Sequence, residues 1–140
     1  MSPRQRRRAL AVVAGLAALT HVAQAAPSPH NLVASVAVKS QLREAHLRVV
    51  PLGSRSKVRG PLKGSTYYGS YGSTRYAIAT FSTEGLGTTD QPELFSKPLG
   101  KPWQDRGDTG GCISGRIIPP PLLLLWGLER DLGNPPCFFP

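Results

Sequence analysis

The stretch Arg75–Ser82, with the sequence RYAIATFS, constrains the fold of this chain more than any other. It is short, rich in aromatic and β-branched residues, and flanked by glycine, serine and threonine, which predicts a β-strand. Alternate residues of a strand point to opposite faces of a sheet, and neither face of Tyr76–Phe81 carries a charge. Because a strand that is apolar on both faces belongs in the interior, we predict that this stretch is the central strand of a small sheet.

The surrounding segments predict an antiparallel sheet and two helices. Thr66–Tyr68, joined to the central strand by a glycine- and serine-rich turn, predicts a β-hairpin. Leu32–His46 alternates like a strand at first but is rich in helix formers, and we interpret it as a helix capped by Asn31. Leu122–Leu132, between prolines and Gly133, predicts a buried C-terminal helix. Further short strands are predicted at Leu47–Val50, Lys57–Arg59, Glu93–Lys97, Trp103–Asp105 and Ile113–Ile118.

The predicted fold class is therefore α+β, a small antiparallel sheet with an N-terminal helix and a short C-terminal helix. A length of 140 residues allows one such domain, and we place it at residues 32–140. Residues 26–31 (APSPHN) are polar and contain two prolines, so we expect a flexible leader there.

Residues 1–25 have the features of a secretory signal peptide. Four arginines precede the apolar run Ala9–Leu19, and the small residues Ala23 and Ala25 flank Gln24 before a favourable cleavage point at Ala26. The apolar run is shorter than the roughly 20 residues that cross a bilayer. We expect an exported, extracellular protein without a transmembrane segment after cleavage.

Both cysteines, Cys112 and Cys137, follow the predicted signal peptide. An even number of cysteines in an exported chain predicts a disulfide, here a single one. A bridge over this separation is worth roughly 3 kcal/mol in the chain-entropy account. Two cysteines without neighbouring histidines make at most half a zinc site, so a disulfide is the favoured interpretation.

The positive charge of the chain is concentrated in one segment. Removing the four arginines of residues 1–25 leaves 13 bases against 8 acids, a net charge of +5. Seven of those bases and one acid, Glu44, lie between Lys39 and Lys63, whereas the residues from Gly64 onward carry six bases and seven acids. Such a segment suits an anionic surface such as a cell-wall polymer, although a solvated face has the same composition. No nucleic-acid-binding motif accompanies the charge, and we expect no nucleic acid partner.

Aromatic residues of the predicted hairpin add a second candidate feature. Tyrosine rings stack on apolar surfaces such as sugar rings, but cross-strand tyrosine pairs also serve simply to stabilise hairpins. Combining the tyrosines with the basic segment, we predict a binding surface formed by Tyr67, Tyr68, Tyr71, Arg75, Arg55, Lys57 and Arg59.

Two short motifs point to hydrolases but lack their partners. Gly107–Gly111 has a threonine where chymotrypsin-like proteases have serine, and Asp108 begins a single aspartic-protease triplet. We interpret this segment as a glycine-rich turn and His46 as a capping or surface residue. A carboxylate cluster for calcium or glycoside hydrolysis stays open among the acids predicted to lie in loops, which include Glu84, Asp90, Glu93, Asp105 and Asp108. We predict no catalytic, cofactor or metal residue.

The order of several segments resembles small secreted proteins of soil-dwelling actinobacteria. The resemblance extends from about Gly64 to Cys137 and is carried by Tyr67-Tyr68, Tyr76–Phe81, Gly87–Pro92, Trp103 and Gly107–Cys112. It implies export and a compact domain closed by a disulfide, and it implies no particular activity.

These observations predict a secreted, monomeric, non-catalytic binding module. Its expected partner is an anionic cell-surface polymer or a secreted protein. Two alternatives stay open: a protease inhibitor that uses the loop Thr83–Pro92, and a small hydrolase that uses loop carboxylates.

Overall fold

The computed structural model describes residues 26–85, 87–88, 92–110, 113 and 116–128. Its main sheet has five antiparallel strands in the order β1-β3-β4-β7-β8. These strands are β1 (Pro29–Asn31), β3 (Tyr67–Tyr71), β4 (Thr74–Ala79), β7 (Glu93–Lys97) and β8 (Gln104–Asp108). A smaller sheet joins β2 (Val58–Arg59), β5 (Ser82–Thr83) and β6 (Gly87–Thr88) in the order β2-β5-β6. The predicted α+β class with a small antiparallel sheet is confirmed.

The predicted central strand occupies the centre of the main sheet. β4 pairs with β3 on one side and with β7 on the other, and a two-residue turn at Gly72 joins it to β3. Ala77 and Ile78 point to opposite faces, and both are at most 2% exposed. Both faces of this strand are therefore apolar because both are buried, as the sequence predicted.

Helix α1 (Val36–Val49) covers one face of the main sheet. It begins five residues after the sheet's edge strand ends at Asn31, and Ser35, rather than the predicted Asn31, caps it by accepting a hydrogen bond from the Val38 N–H at 3.2 Å. Its buried residues are Leu42, Ala45 and His46, at the spacing of one helical face. The helix continues to Val49, so the strand predicted at Leu47–Val50 is wrong.

Helix α2 (Pro120–Leu125) covers the opposite face. Prolines occupy its first turn, as predicted. It ends at Leu125, with Trp126 as its C-cap, before the predicted end at Leu132 and Gly133. A Cβ atom at Gly69 of β3 would lie 2.6 Å from the His30 carbonyl oxygen and 2.9 Å from Leu122 Cδ2. A residue without a side chain at this position is what lets the helix and the edge strand approach β3 so closely.

The main sheet separates two apolar clusters. The first lies between the sheet and α1 and contains Leu42, Tyr68, Ala77, Phe95 and Trp103 among others. The second lies between the sheet and α2 and includes Ile78, Leu94, Ile118, Leu122 and Leu123. Side chains therefore alternate between the two clusters along each central strand, as strand geometry requires.

Several local predictions need correction. The expected flexible leader contains β1, which pairs with β3 at the sheet edge. Leu52–Lys57 forms a 3₁₀ helix, so the strand predicted at Lys57–Arg59 is reduced to Val58–Arg59. Ile113 and residues 116–118 are irregular or in turns, so the strand predicted at Ile113–Ile118 does not form there. These segments are short, and pairing with distant residues decides their conformation.

Some predictions lie outside the described residues. They are the signal peptide at residues 1–25 and both members of the predicted disulfide, Cys112 and Cys137. Neither helix of the described residues has the length and apolarity that a bilayer span requires.

Candidate functional site

Two cations face each other across neighbouring strands of the main sheet. Arg75 of β4 is the register partner of Lys97 in β7, so both side chains lie on the sheet face that α1 covers. Side chains directly opposite in an antiparallel pair have Cβ atoms about 5 Å apart, and like charges there are destabilising. The fold therefore maintains a repulsive pair at this position.

A third cation joins this pair at the turn after β7. Lys101 and the two cations line a cleft of about 400 Å³, which we call the cationic cleft. Its walls are Ser73, Arg75, Lys97, Pro98, Leu99, Gly100 and Lys101. Among the described residues, no acid lines the cleft and none forms an ion pair with these three cations. Positive charge therefore accumulates in an open concave surface.

Lys97 is the best anchored of the three cations. Its ammonium nitrogen lies 3.4 Å from Gln41 Oε1 and 6.0 Å from the centre of the Trp103 ring. Lys97 also lines a smaller pocket on the side of α1, together with Glu44. Arg75 and Lys101 are exposed, so they present their charge to solvent on either side of a positioned ammonium group.

Two arginines of the predicted basic segment are held by neighbouring carbonyl oxygens. Arg55 donates hydrogen bonds to the carbonyl oxygens of Val50 and Arg48, at 3.0 and 3.3 Å. Arg59 donates to the Ser56 carbonyl oxygen at 2.7 Å and pairs with exposed Glu84 at 2.9 Å. These hydrogen bonds hold the two guanidinium groups against the backbone around the 3₁₀ helix and β2. Lys57 is exposed. Of the four predicted cationic residues, Arg75 alone lines the cationic cleft.

The predicted tyrosines do not share one surface. Tyr68 is 6% exposed and packs beside Trp103 under α1, while Tyr71 is partly buried in the cluster under α2. Tyr67 is 38% exposed, and its ring centre lies 5.8 Å from that of Trp126. Alternation along β3 sends neighbouring tyrosines to opposite faces, and only Tyr67 is left at a groove.

That groove lies at the start of β3, at the opposite end of the strand from the cationic cleft. It has a volume of about 400 Å³, and we call it the aromatic groove; its lining includes Asn31, Lys39, Thr66, Tyr67 and Trp126. The indole N–H of Trp126 donates to Asn31 Oδ1 at 3.1 Å. The buried Thr66 hydroxyl makes no hydrogen bond with any of the described residues. The groove therefore combines aromatic rings with an unused polar group.

A third constellation joins His46 to two of the acids for which a carboxylate cluster stayed open. His46 of α1, Glu93 of β7 and Asp105 of β8 each offer a ligand atom within 4.8 Å of the other two, and we call them the acid–histidine cluster. His46 Nδ1 lies 2.8 Å from Asp105 Oδ2, and the Asp105 side chain is fully buried. The second Asp105 oxygen accepts the Gly107 N–H at 2.8 Å. The His46 ring stacks on Phe81 with centres 4.3 Å apart.

The environment of Glu93 is unfavourable for a negative charge. Burial raises the pKa of its carboxyl from 4.5 to about 7, with further contributions from the neighbouring charges of Asp105 and Asp108, against a smaller lowering by His46. Glu93 and Asp105 lie in β7 and β8, where the sequence also predicts strands, whereas buried His46 is not a surface or capping residue.

The motif that resembles protease sequences forms local turns. Asp108 Oδ1 accepts the Gly110 N–H at 2.8 Å, in an aspartate-stabilised turn. Gly107 and Asp108 are the last residues of β8, so the predicted glycine-rich turn is described only at Thr109 and Gly110. The loop Thr83–Pro92 proposed for protease inhibition is described only at residues 83–85, 87–88 and 92.

Comparison with protein-family models, with curated proteins and with solved structures finds no significant match to this chain. The function is therefore argued from the chain's own residues.

Proposed function

We propose that the protein is a non-catalytic binding module for an anionic polymer at a cell surface, and that it binds this polymer through the cationic cleft. The observation that carries the proposal is the register pairing of Arg75 with Lys97, with Lys101 completing an acid-free cleft. An anion held between these groups turns a repulsive pair into two attractive contacts.

The shape of the cleft favours a chain of anionic groups over a single buried anion. Its three cations lie on an open surface, and exposed Leu99 at its wall offers an apolar contact to a sugar or glycerol backbone. Carboxylate, sulfate and phosphate groups all suit guanidinium and ammonium donors. The net charge of +5 expected after removal of residues 1–25 also attracts such a polymer from a distance.

Retention on immobilised heparin in a salt gradient tests the proposal. At low salt, Arg75→Gln and Lys101→Gln should each weaken binding about fivefold, which corresponds to about 1 kcal/mol per cation at an anionic surface. Lys57→Gln is the matched control, because it removes the same charge from an exposed residue outside the cleft. It should change binding less than twofold.

Two results would contradict the proposal. An equal loss in Lys57→Gln and Lys101→Gln would mean that net charge alone governs retention. Retention of the unaltered chain that persists in 1 M salt, where the screening length is about 3 Å, would mean that the contact is not electrostatic.

The aromatic groove favours a second candidate function, the stacking of a saccharide ring. Tyr67 and Trp126 supply the rings, and the unpaired Thr66 hydroxyl supplies a hydrogen bond. This predicts salt-insensitive retention on isolated cell wall that Tyr67→Ala abolishes and Arg75→Gln preserves. If all retention on cell wall disappears in 1 M salt, this candidate is wrong.

A further inference from the structure

We propose that the acid–histidine cluster is a binding site for a divalent transition-metal ion, with His46, Glu93 and Asp105 as its ligands. The three residues come from three different elements, α1, β7 and β8, and each brings one ligand atom within 4.8 Å of the other two. An imidazole nitrogen with carboxylate oxygens is a donor set that zinc and related ions accept.

The distance between His46 and Asp105 is close to that of two ligands in an occupied site. Two donors that each lie about 2.1 Å from one ion are separated by about 3 Å at a right angle and by about 3.4 Å at the tetrahedral angle. The separation of 2.8 Å between His46 Nδ1 and Asp105 Oδ2 is already near this range. Glu93, with its longer and more flexible side chain, has the small remaining movement to make.

The partners of the two carboxylates differ in a way that fits this arrangement. Both oxygens of Asp105 are engaged, one by His46 and one by the Gly107 N–H, so the group is held in place. Orientation of a ligand by a backbone donor is a common feature of metal sites. Within the described part of the chain, no hydrogen bond is made to the half-buried Glu93 carboxylate, so its oxygens are available to bind a metal ion.

The charge of the cluster is also unbalanced. Two carboxylates share the site, and no lysine or arginine of the described residues forms an ion pair with either. Buried charges are ordinarily paired or bound to a metal, because an unpaired one is costly in a low-dielectric environment. A divalent cation would neutralise both carboxylates at once.

The donor set also sets the ion class. Calcium takes six to eight oxygen ligands, which a site with one imidazole and two carboxylates does not provide. Zinc accepts nitrogen and oxygen donors, and three protein ligands leave its fourth position for water. Zinc should therefore bind and calcium should not.

Zinc titration of the full chain, purified without a histidine tag, tests this site. We expect uptake of one equivalent of Zn²⁺, with a rise in Tm of roughly 5 °C at tenfold excess over Kd. Glu93→Gln keeps the shape of the side chain and removes the free carboxylate, so it should weaken Zn²⁺ binding by about tenfold or more. The control Glu84→Gln removes an exposed acid and should leave zinc binding unchanged.

NMR of the unaltered chain gives a readout that does not depend on a variant that folds. Zn²⁺ should move the ring proton resonances of His46 and leave those of exposed His30 in place. Absence of a His46 response, absence of a Tm shift, or a Glu93→Gln chain that binds Zn²⁺ as tightly as the unaltered one would each overturn the proposal. Failure of the heparin experiment leaves these outcomes unaffected, because the cationic cleft shares no residue with this cluster.

Discussion

The cationic cleft and the acid–histidine cluster lie at the two ends of the same strand. Glu93 begins β7 and Lys97 ends it, both on the face that α1 covers, with fully buried Phe95 between them. Each end brings like charges together across neighbouring strands, cations at one end and carboxylates at the other. Solvent reaches the cations and screens them, whereas the carboxylates are enclosed. Repulsion between like charges therefore destabilises the fold little at the cationic cleft and strongly at the acid–histidine cluster.

Breaking the buried end should have the largest effect. His46→Ala leaves the fully buried Asp105 carboxylate without its partner and removes the ring that stacks on Phe81. Loss of one member of a buried pair costs about 3 kcal/mol or more. Urea unfolding of the metal-free chain measures this loss.

His30→Ala is the control for that substitution, since this histidine is exposed and, among the described residues, its side chain hydrogen-bonds to a neighbouring serine hydroxyl alone. It should change the free energy of unfolding by less than about 0.5 kcal/mol. Equal effects of the two substitutions would mean that burial does not distinguish the two ends of β7.

The pH dependence of stability should show the intermediate effect. The folded-state pKa of Glu93 is about 7 against an ordinary value of 4.5, so the unfolded chain loses this proton first as the pH rises. The free energy of unfolding should therefore decrease as the pH rises from 4.5 to 7, because of this group. Above and below that window, this group should cause no further change in stability.

Denaturant midpoints measured across this range in a chelator, for the unaltered chain and for Glu93→Gln, isolate the contribution. Glu93→Gln should flatten this part of the profile. If both profiles have the same slope, the Glu93 carboxyl does not carry the buried charge described above.

A substitution in the cationic cleft, at the exposed end of β7, should have the smallest effect on stability, and it should stabilise the fold. Arg75→Gln removes one member of the repulsive pair with Lys97, so it should raise the free energy of unfolding by up to about 0.5 kcal/mol at low salt. The gain should vanish in 1 M salt. A clear loss of stability would show that Arg75 supports the fold, and the cleft would then lose its main physical argument.

The sequence alone was sufficient for some of the local elements of this fold. The hairpin of β3 and β4 and the strand at Glu93–Lys97 were predicted because alternation and turn residues are short-range signals. The acid–histidine cluster was missed because His46 and Asp105 lie 59 residues apart. A weak signal existed: His46 follows Leu42 by one helical turn, and Asp105 follows buried Trp103 by two strand positions.

The basic segment shows what composition alone leaves undecided. Its composition was read correctly, but composition does not say whether a guanidinium group faces solvent or a carbonyl oxygen. Arg55 and Arg59 bind carbonyl oxygens nearby in the chain. Lys97 and Lys101, which lie outside the segment, complete the cleft because strand register brings Lys97 opposite Arg75.

NMR mapping of a heparin-like oligosaccharide on the unaltered chain tests directly whether the cationic cleft binds an anionic polymer. We expect amide shifts concentrated at Ser73, Arg75, Lys97 and residues 99–101, which lose amplitude as salt is raised. Shifts centred instead on the predicted basic segment at residues 55–59, or shifts spread evenly over the surface, would contradict a binding site at the cationic cleft.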